Sequence, residues 1–246
     1  MTEVNNPQAA SNVAIYSVYT DLELMRDIAK TCVRCDLART RTQVVFGEGP
    51  YLPPGEIGVM LLGEAPGEDE DKQGRPFVGR SGKLLNTLLE EAGLKRDTIW
   101  VTNTNKCRPV LIDGKSVKNR APTPPEQKAC EIWWQNEIEL LKPQIVVCLG
   151  ATAAKKILEN KNFMITKDRG KWFPGPKNTE VLVTFHPSYV MRQQGQALVE
   201  IKETVVGDFR EVISRLAALR AGTAPLHPWQ KPANPPDGDD GQLAMF

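Results

Sequence analysis

Four cysteines are spaced as the ligands of a metal centre often are. Cys32 and Cys35 form a Cys-x-x-Cys pair, Cys107 follows a short apolar run, and Cys130 lies in the helical pattern after it. A two-residue spacer forms a tight turn, which lets two thiolates face one metal centre. Zinc sites and iron–sulfur clusters both use this spacing, so it does not distinguish them. The structural alternative is a set of buried core thiols, which we expect for the fifth cysteine, Cys148.

A second group of reactive side chains follows the apolar runs. Glu64 comes just after the first run, Asn103 after the second and His186 after the fourth, while Phe77 lies in a glycine-rich turn. Ligands bind at the carboxyl ends of parallel strands, so we expect these groups to meet in one pocket with acid–base capacity. Each has a structural alternative, namely a helix cap for Glu64, core packing for Phe77, turn hydrogen bonds for Asn103 and a buried, bonded ring for His186.

The loop after the first run is not a phosphate-binding loop. Segment 63–71 carries five carboxylates, and no Gly-x-x-x-x-Gly-Lys-Ser/Thr pattern occurs in the chain. A P-loop nucleotide hydrolase is therefore not supported.

The elements that must position these groups alternate between strands and helices. Four nearly continuous apolar runs predict strands at residues 57–62, 99–102, 145–149 and 181–185. Such runs are typical of strands covered on both faces. Helical patterns occupy residues 21–31, 79–92, 123–141, 151–158 and 203–220. The alternation predicts an α/β fold with a mostly parallel sheet between helices.

Length and composition limit the class of protein. The chain has 246 residues, of which 41% are hydrophobic, with 31 basic and 30 acidic side chains. No apolar run reaches the roughly 18 residues of a membrane span, and residues 1–11 do not resemble a secretory signal. The odd cysteine count then favours a reducing cytoplasm. We expect a flexible segment 1–17, one domain over residues 18–221, and a flexible, proline-rich and acidic tail at residues 222–246.

The near-zero net charge conceals two basic regions. Residues 151–192 hold eight basic and three acidic side chains, and residues 95–120 hold seven and two. Both regions flank the sheet edge at which the pocket is expected. They predict contacts with a nucleic-acid backbone, although a solvated surface is the usual meaning of such a run.

The motifs, in their order along the chain, resemble the uracil-DNA glycosylase superfamily, and within it the family-four type that carries an iron–sulfur cluster. The motifs that carry the resemblance are Gly-Glu-Ala-Pro-Gly at 63–67, Arg-Pro-Phe-Val-Gly at 75–79, Thr-Asn at 102–103, Lys-Cys-Arg-Pro at 106–109, the segment 165–172, and His-Pro-Ser-Tyr-Val-Met-Arg at 186–192.

The resemblance implies a three-layer αβα fold with a central four-stranded parallel sheet. It also implies a structural [4Fe-4S] cluster bound by Cys32, Cys35, Cys107 and Cys130. A likeness to this type therefore favours iron–sulfur over zinc, which the spacing alone does not do.

The resemblance further implies hydrolysis of the N-glycosidic bond of uracil in single- or double-stranded DNA, the first step of base excision repair. Glu64, Asn103 and His186 would be catalytic. The expected substrate-binding residues are Gly63, Ala65, Gly67, Phe77, Asn103 and His186, and the expected DNA contacts are Lys167, Arg169, Lys171, Ser188, Tyr189 and Arg192.

Differences between subtypes favour a turnover enzyme. Family-five relatives lack a polar residue at the position of Glu64, and covalent-trapping relatives carry a glutamine at the position of Ala65 and a histidine in the loop that corresponds to 166–171. This chain has a carboxylate at position 64, an alanine at position 65 and no histidine in segment 166–171. The alternatives are a non-catalytic iron–sulfur protein that binds nucleic acid, a covalent uracil-DNA binder and a redox protein. One departure from the family pattern is an insertion at residues 110–118, whose shape the sequence does not predict.

The last residues carry a separate signal. Gln242, Leu243, Met245 and Phe246 end the acidic tail and resemble the motif that binds the bacterial sliding clamp. A short apolar peptide on a flexible tether is a typical ligand design. We expect a monomer in the cytoplasm, associated with the nucleoid, with DNA and the clamp as partners and no membrane.

Overall fold

The computed structural model describes residues 20–230. The helices in chain order are α1 (residues 20–30), α2 (Glu68–Gln73), α3 (Arg80–Ala92), α4 (Pro124–Leu141), α5 (Ala151–Ile157), α6 (Ile165–Asp168), α7 (Pro187–Val190) and α8 (Gly195–Arg220). Short 3-10 turns occupy Asp36–Arg39, Arg96–Thr98, Pro176–Asn178 and Pro228–Gln230. The strands are β1 (Val59–Gly63), β2 (Trp100–Asn103), β3 (Val110–Asp113), β4 (Ser116–Asn119), β5 (Ile145–Leu149), β6 (Trp172–Pro174) and β7 (Glu180–Thr184).

A five-stranded sheet in the order β2-β1-β5-β7-β6 forms the centre of the fold. The first four strands are parallel, and β6 pairs antiparallel with β7 at the edge. The predicted αβα fold and its four parallel strands are confirmed. The fifth strand was not predicted, because three residues that end in a proline are too short to show a strand periodicity.

Every residue of β1, β5 and β7 is buried, as the continuous apolar runs indicate. Successive side chains of a strand point to opposite faces, so Met60 and Leu62 pack on one side of the sheet and Val59 and Leu61 on the other. One core lies against α1, α4 and α5, and the other against α3, α7 and α8. Cys148, in the middle of β5, is completely buried in the first of these cores.

The helix boundaries follow local signals where such signals exist. Helix α4 begins with a capping box, in which the Thr123 side chain accepts from the Glu126 N–H and the Glu126 carboxylate accepts from the Thr123 N–H. Helix α8 begins at Gly195, eight residues before the predicted start at 203. Its first two turns lie largely exposed, so no apolar periodicity marks them.

The inserted segment 110–118 forms a β-hairpin of β3 and β4. It projects from the domain with Leu111, Ile112 and Val117 largely exposed. At its base, the Arg120 side chain donates to the Val110 carbonyl and makes a two-bond ion pair with the Glu126 carboxylate. The hairpin is thereby fastened to the start of α4.

The chain after α8 returns to the sheet. His227 and Gln230 each make a side-chain hydrogen bond to the Glu180 carboxylate, which Arg215 also binds with two bonds. The first part of segment 222–246 thus contacts the domain, whereas residues 231–246 lie outside the described range, as do residues 1–19. Among the helices of residues 20–230, none combines the length and the apolar character that crossing a membrane requires.

A buried ion pair lies beneath the carboxyl end of β2. The Lys106 Nζ is 2.7 Å from Glu137 Oε2, and the two side chains are 1% and 0% exposed. Nζ also donates to the Thr102 Oγ1 and to the Asn103 carbonyl oxygen. The second carboxylate oxygen of Glu137 accepts from the Gly47 N–H. Since all three ammonium protons have an acceptor, the charge is compensated without water.

Candidate active site

A cavity of about 630 Å³ opens at the carboxyl ends of the parallel strands. It lies between the loops that follow β1, β2, β5 and β7, as expected for a ligand site in a sheet of this kind. Its walls contain Glu64, Ala65, Gly67, Phe77, Asn103, His186, Ser188, Tyr189 and Arg192. The structure therefore brings the residues singled out on three separate strand ends into one pocket.

Three groups meet at very close range at the floor of the pocket. A Cβ atom on Gly63 would lie 2.3 Å from Asn103 Oδ1 and 2.5 Å from Phe77 Cζ, so only glycine fits there. Phe77 has a φ of +53°, which is unusual for a bulky residue. Its backbone passes directly beneath Gly82, where an added Cβ would lie 1.9 Å from the Phe77 carbonyl oxygen. Two glycines therefore allow the phenyl ring to pack between β1 and α3.

A carboxylate that sequence reasoning overlooked holds these loops together. Glu70, at the start of α2, is 7% exposed. Its side chain accepts from the Gly67, Val78 and Gly79 N–H groups at 3.0, 3.0 and 2.8 Å. The bonds join the loop after β1 to the turn that carries Phe77. The sequence signal was present in the acidic run at 68–71, but nothing in it indicated which carboxylate points inward.

Asn103 ends β2 opposite Gly63 and is 2% exposed. Its Oδ1 is buried and makes no hydrogen bond to any described residue. The following backbone is fixed, since the Thr104 and Asn105 N–H groups donate to the carbonyls of Gly63 and Glu64 at 2.9 and 3.0 Å. A buried amide oxygen without a donor costs free energy, and a ligand N–H would remove that cost.

The hydrogen bonds of His186 determine its tautomer. The Ser188 N–H donates to Nδ1 at 3.1 Å, and the Ser188 hydroxyl lies 2.8 Å from the same nitrogen. Burial lowers the pKa of His186 to about 4, and the positive charge of Arg192 adds to this effect. The ring is therefore neutral near pH 7 with its proton on Nε2. Its centroid lies 6.0 Å from that of Phe77.

Glu64 is half-buried at the end of β1 and lines the same pocket. Burial raises the pKa of its carboxyl group, although a hydrogen bond from the Thr152 side chain acts in the opposite direction. Thr152 lies in the first turn of α5, so this contact links the ends of β1 and β5. A carboxyl group with a raised pKa in the same pocket as a neutral imidazole is a common arrangement in catalytic sites.

The hairpin base supplies part of the cavity wall that the sequence did not predict. Asn119, the last residue of β4, and Arg120, which follows it, line the pocket together with Pro109. The Asn119 side chain accepts from Arg108 Nε at 2.7 Å, and Arg108 Nη2 donates to the Glu68 carboxylate of α2 at 3.3 Å. The residues that flank the insertion at 110–118 therefore form part of the cavity wall.

The four cysteines singled out by spacing line one small cavity between the N-terminal segment and α4. Two of the sulfurs accept hydrogen bonds, Cys107 Sγ from Arg41 at 3.6 Å and Cys130 Sγ from the Lys106 N–H at 3.2 Å. Within residues 20–230, no three cysteine, histidine or carboxylate side chains lie close enough together to hold a single metal ion.

The residues expected to contact DNA differ in their surroundings. Lys167 and Lys171 are exposed, and Lys171 lies 3.2 Å from Asp168. Arg169 is instead bound to Asp208, with 2.6 Å between Nη1 and Oδ1. Ser188, Tyr189 and Arg192 stand at the mouth of the pocket. The candidate clamp residues at 242–246 lie outside the described range.

Comparisons with known proteins agree with this geometry. The family model of the uracil DNA glycosylase superfamily matches residues 50–210. A type-4 uracil-DNA glycosylase of Thermotoga maritima is 41% identical over 203 residues, which cover 80% of this chain and 97% of the relative. One of Sulfurisphaera tokodaii is 42% identical over 174 residues, covering 68% and 74% of the two chains. A type-5 uracil-DNA glycosylase of Thermus thermophilus is 31% identical over 193 residues, covering 69% and 80%.

The comparisons and the motifs that line the pocket lead to the same conclusion. The family match spans the sheet and the loops that carry Glu64, Asn103 and His186. The chain belongs to the uracil DNA glycosylase superfamily, and within it to the type-4 uracil-DNA glycosylases.

Proposed function

We propose that this protein is a monofunctional uracil-DNA glycosylase that hydrolyses the N-glycosidic bond of uracil in DNA and so initiates base excision repair. The observation that carries the proposal is the convergence of Glu64, Phe77, Asn103 and His186 on one cavity. The activity in the printed names of the type-4 relatives supports the same reaction.

Substrate recognition follows from Asn103 Oδ1, the buried amide oxygen that has no hydrogen-bond donor among the described residues. The target base must leave the helix, at a cost of a few kcal/mol of stacking, before it can enter the pocket. Phe77 then stacks on the ring, and Asn103 Oδ1 accepts from the uracil N3–H while its amide group donates to O4. Cytosine presents the opposite donor and acceptor at these positions, so the buried amide would be left unpaired against it.

The neutral His186 stabilises the leaving group. As the bond breaks, positive charge develops on the sugar and negative charge on uracil. The Nε2–H donates to the uracil O2, as a donor of an oxyanion hole does, a contribution of about 3–4 kcal/mol. Because Nδ1 already accepts from the Ser188 N–H, the ring is held in the tautomer that can donate.

Glu64 acts on the sugar side of the bond. As a carboxylate it stabilises the oxocarbenium-like sugar and orients the water whose oxygen forms the new bond to C1′. One proton of that water stays on the new C1′ hydroxyl and the other is taken up by the uracil anion, so the products are neutral uracil and an abasic site. Of the alternatives, a covalent binder is not favoured, since Ala65 and the histidine-free segment 166–171 lack its features.

We further propose that Cys32, Cys35, Cys107 and Cys130 hold a [4Fe-4S] cluster with a structural role. A single zinc ion needs four sulfurs at about 2.3 Å. In a cluster each cysteine binds a different iron, so the sulfurs stand further apart around a shared cavity. Their arrangement around one cavity supports a shared metal centre, and the motifs that resemble the family-four type favour a cluster over zinc. Bound there, it would join the segment before β1 to β2 and α4.

DNA binding is proposed for the surface around the pocket mouth. Lys167, Lys171, Ser188, Tyr189 and Arg192 would contact the strand on either side of the flipped nucleotide. A monomer in the cytoplasm, associated with the nucleoid, remains our proposal for its state and location.

The role of the pocket is tested by removing its two recognition groups. We expect His186→Ala to lower kcat by roughly 10²–10³-fold, because one donor to the leaving base is lost. Asn103→Ala should lower kcat/KM for uracil by a similar order. The measurement is alkali-labile strand breakage in a single-stranded oligonucleotide that contains one uracil.

The matched controls are His227→Ala and Asn162→Ala, which replace the other histidine and an exposed asparagine outside the pocket. Both should retain wild-type rates. Full activity in both pocket variants would refute the proposed site. DNA binding without strand breaks in the wild-type protein would instead indicate a non-catalytic binder.

The pH profile of kcat/KM reports the ionisation of the free enzyme. Burial raises the pKa of Glu64 above its ordinary value of 4.5, so the active carboxylate should be lost as the pH falls through that raised pKa. His186, with a pKa of about 4, stays neutral over the same range. We expect Glu64→Gln to lower the plateau and to remove the acid limb. An unchanged acid limb in this variant would assign it to another group.

The cluster is tested by iron and sulfide analysis of protein purified without oxygen. The wild-type protein should be brown and contain iron and acid-labile sulfide in equal amounts. Cys107→Ser should lose most of both, and Cys148→Ala, which replaces the buried core thiol, should keep them. Stoichiometric zinc in place of iron would contradict the proposal.

We also propose that Gln242, Leu243, Met245 and Phe246 bind the bacterial sliding clamp. Deletion of residues 242–246 should abolish co-purification with a purified clamp and leave uracil release from free oligonucleotides unchanged. Replacement of residues 236–240, the preceding acidic stretch, by an equally long polar linker is the control. Undiminished clamp binding by the deletion variant would disprove the role of the peptide.

A further inference from the structure

Four planar side chains form a row, and three of them, Phe185, Tyr189 and Arg192, line the pocket. The guanidinium carbon of Arg169 lies 5.5 Å from the Phe185 ring centroid. The Phe185 and Tyr189 rings are stacked, with centroids 5.0 Å apart and planes inclined by 23°. The guanidinium carbon of Arg192 lies 5.8 Å from the Tyr189 centroid. Among the described residues 20–230, each of these contacts joins two neighbours in the row, which runs in the order Arg169, Phe185, Tyr189, Arg192.

The inner end of the row is anchored in the core. Asp208 of α8 is 7% exposed and binds Arg169 through Oδ1. Its other oxygen accepts from the Thr184 hydroxyl at the end of β7. The charge of Arg169 is therefore balanced inside the protein. This arginine supports the Phe185 ring, a different task from the DNA contact expected of it.

The outer end of the row is unoccupied by protein. Arg192 is exposed, and its guanidinium makes no ion pair or hydrogen bond to any residue between 20 and 230. It lines both the pocket and an adjoining groove of about 680 Å³ at the starts of α2 and α3, whose walls also contain Glu68, Asp69 and Arg80. The guanidinium plane therefore borders both spaces, and among the described residues it contacts only the Tyr189 ring.

We propose that the guanidinium plane of Arg192 is a stacking subsite for the nucleobase next to the excised uracil, held in place by the row that ends at Asp208. The inference rests on the proposed function and adds a contact to it. Guanidinium planes and aromatic rings stack on bases without regard to sequence, whereas a phosphate contact needs only the positive charge. A row fixed from within presents this plane with little loss of side-chain entropy.

Binding of single-stranded oligonucleotides tests the subsite. Each carries a non-hydrolysable 2′-fluoro analogue of deoxyuridine, with the 5′ or the 3′ neighbour either intact or replaced by a tetrahydrofuran abasic residue. For the wild-type protein with its cluster, loss of the stacked neighbour should raise Kd about tenfold, within the range known for one base on an aromatic ring.

Arg192→Lys retains the charge and removes the plane. It should bind the intact and the abasic oligonucleotide about equally, with an unchanged dependence on salt. Arg210→Lys, a matched change at an exposed arginine of α8, should keep the tenfold ratio. The proposal would be overturned if, in the wild-type protein, the ratio of the abasic Kd to the intact Kd were near one for both the 5′ and the 3′ neighbour. It would also be overturned if a tenfold ratio persisted in Arg192→Lys. Arg192 would then be a phosphate contact.

Asp208→Asn tests the anchor separately. It removes the charge that holds Arg169 while Arg192 stays in place, so the ratio of the two Kd values should fall part of the way toward one. A melting temperature accompanies each variant, since a general loss of stability would weaken both oligonucleotides alike. An unchanged ratio would show that the row does not support the subsite. Uracil release by the wild-type protein tests the proposed function independently of all these ratios.

Discussion

The ion pair between Lys106 and Glu137 is the interaction on which both parts of the site depend. Moving an ammonium group and a carboxylate out of water costs several kcal/mol for each, unless every proton and lone pair finds a partner. Here the Lys106 ammonium group binds the Asn103 carbonyl, and its backbone N–H donates to Cys130 Sγ. The pocket floor and the thiol cavity are therefore built on the same residue, and a displacement of one would be transmitted to the other.

The pocket combines the close packing of Phe77 and Asn103 with a neutral imidazole ring at His186. Gly63 and Gly82 allow the Phe77 ring to lie against Asn103, and Glu70 holds the backbone of that turn by three hydrogen bonds. In the proposed reaction the neutral His186 can donate from Nε2 to the developing anion without first gaining a proton, because the tautomer is fixed by the bond from the Ser188 N–H to Nδ1. The strained φ of Phe77 is thus sustained by neighbours that leave it no other position.

The sequence predicted an element correctly where its local pattern arises from the same burial or hydrogen bonding that holds the element in the structure. The apolar runs predicted β1, β2, β5 and β7, because strands buried on both faces must be apolar throughout. The helical pattern at 123–141 likewise predicted α4, whose start is marked by the capping box of Thr123 and Glu126. Sequence reasoning failed for β6 and the first turns of α8, which are short or exposed and carry no periodicity. The hairpin at 110–119 was not predicted either, because its apolar side chains face outward.

By itself, the sequence determined the order of the elements, the sheet edge at which Glu64, Asn103 and His186 would meet, and the set of cysteines that could act together. These follow from periodicity and from the rule that parallel strands end on one side. Only the tertiary structure decided which carboxylate turns inward, that Arg169 is bound by Asp208, and that Asn103 Oδ1 is buried against Gly63 without a hydrogen bond to any described residue. These properties arise from contacts between residues far apart in the chain, whose hydrogen bonds and burial no local pattern records.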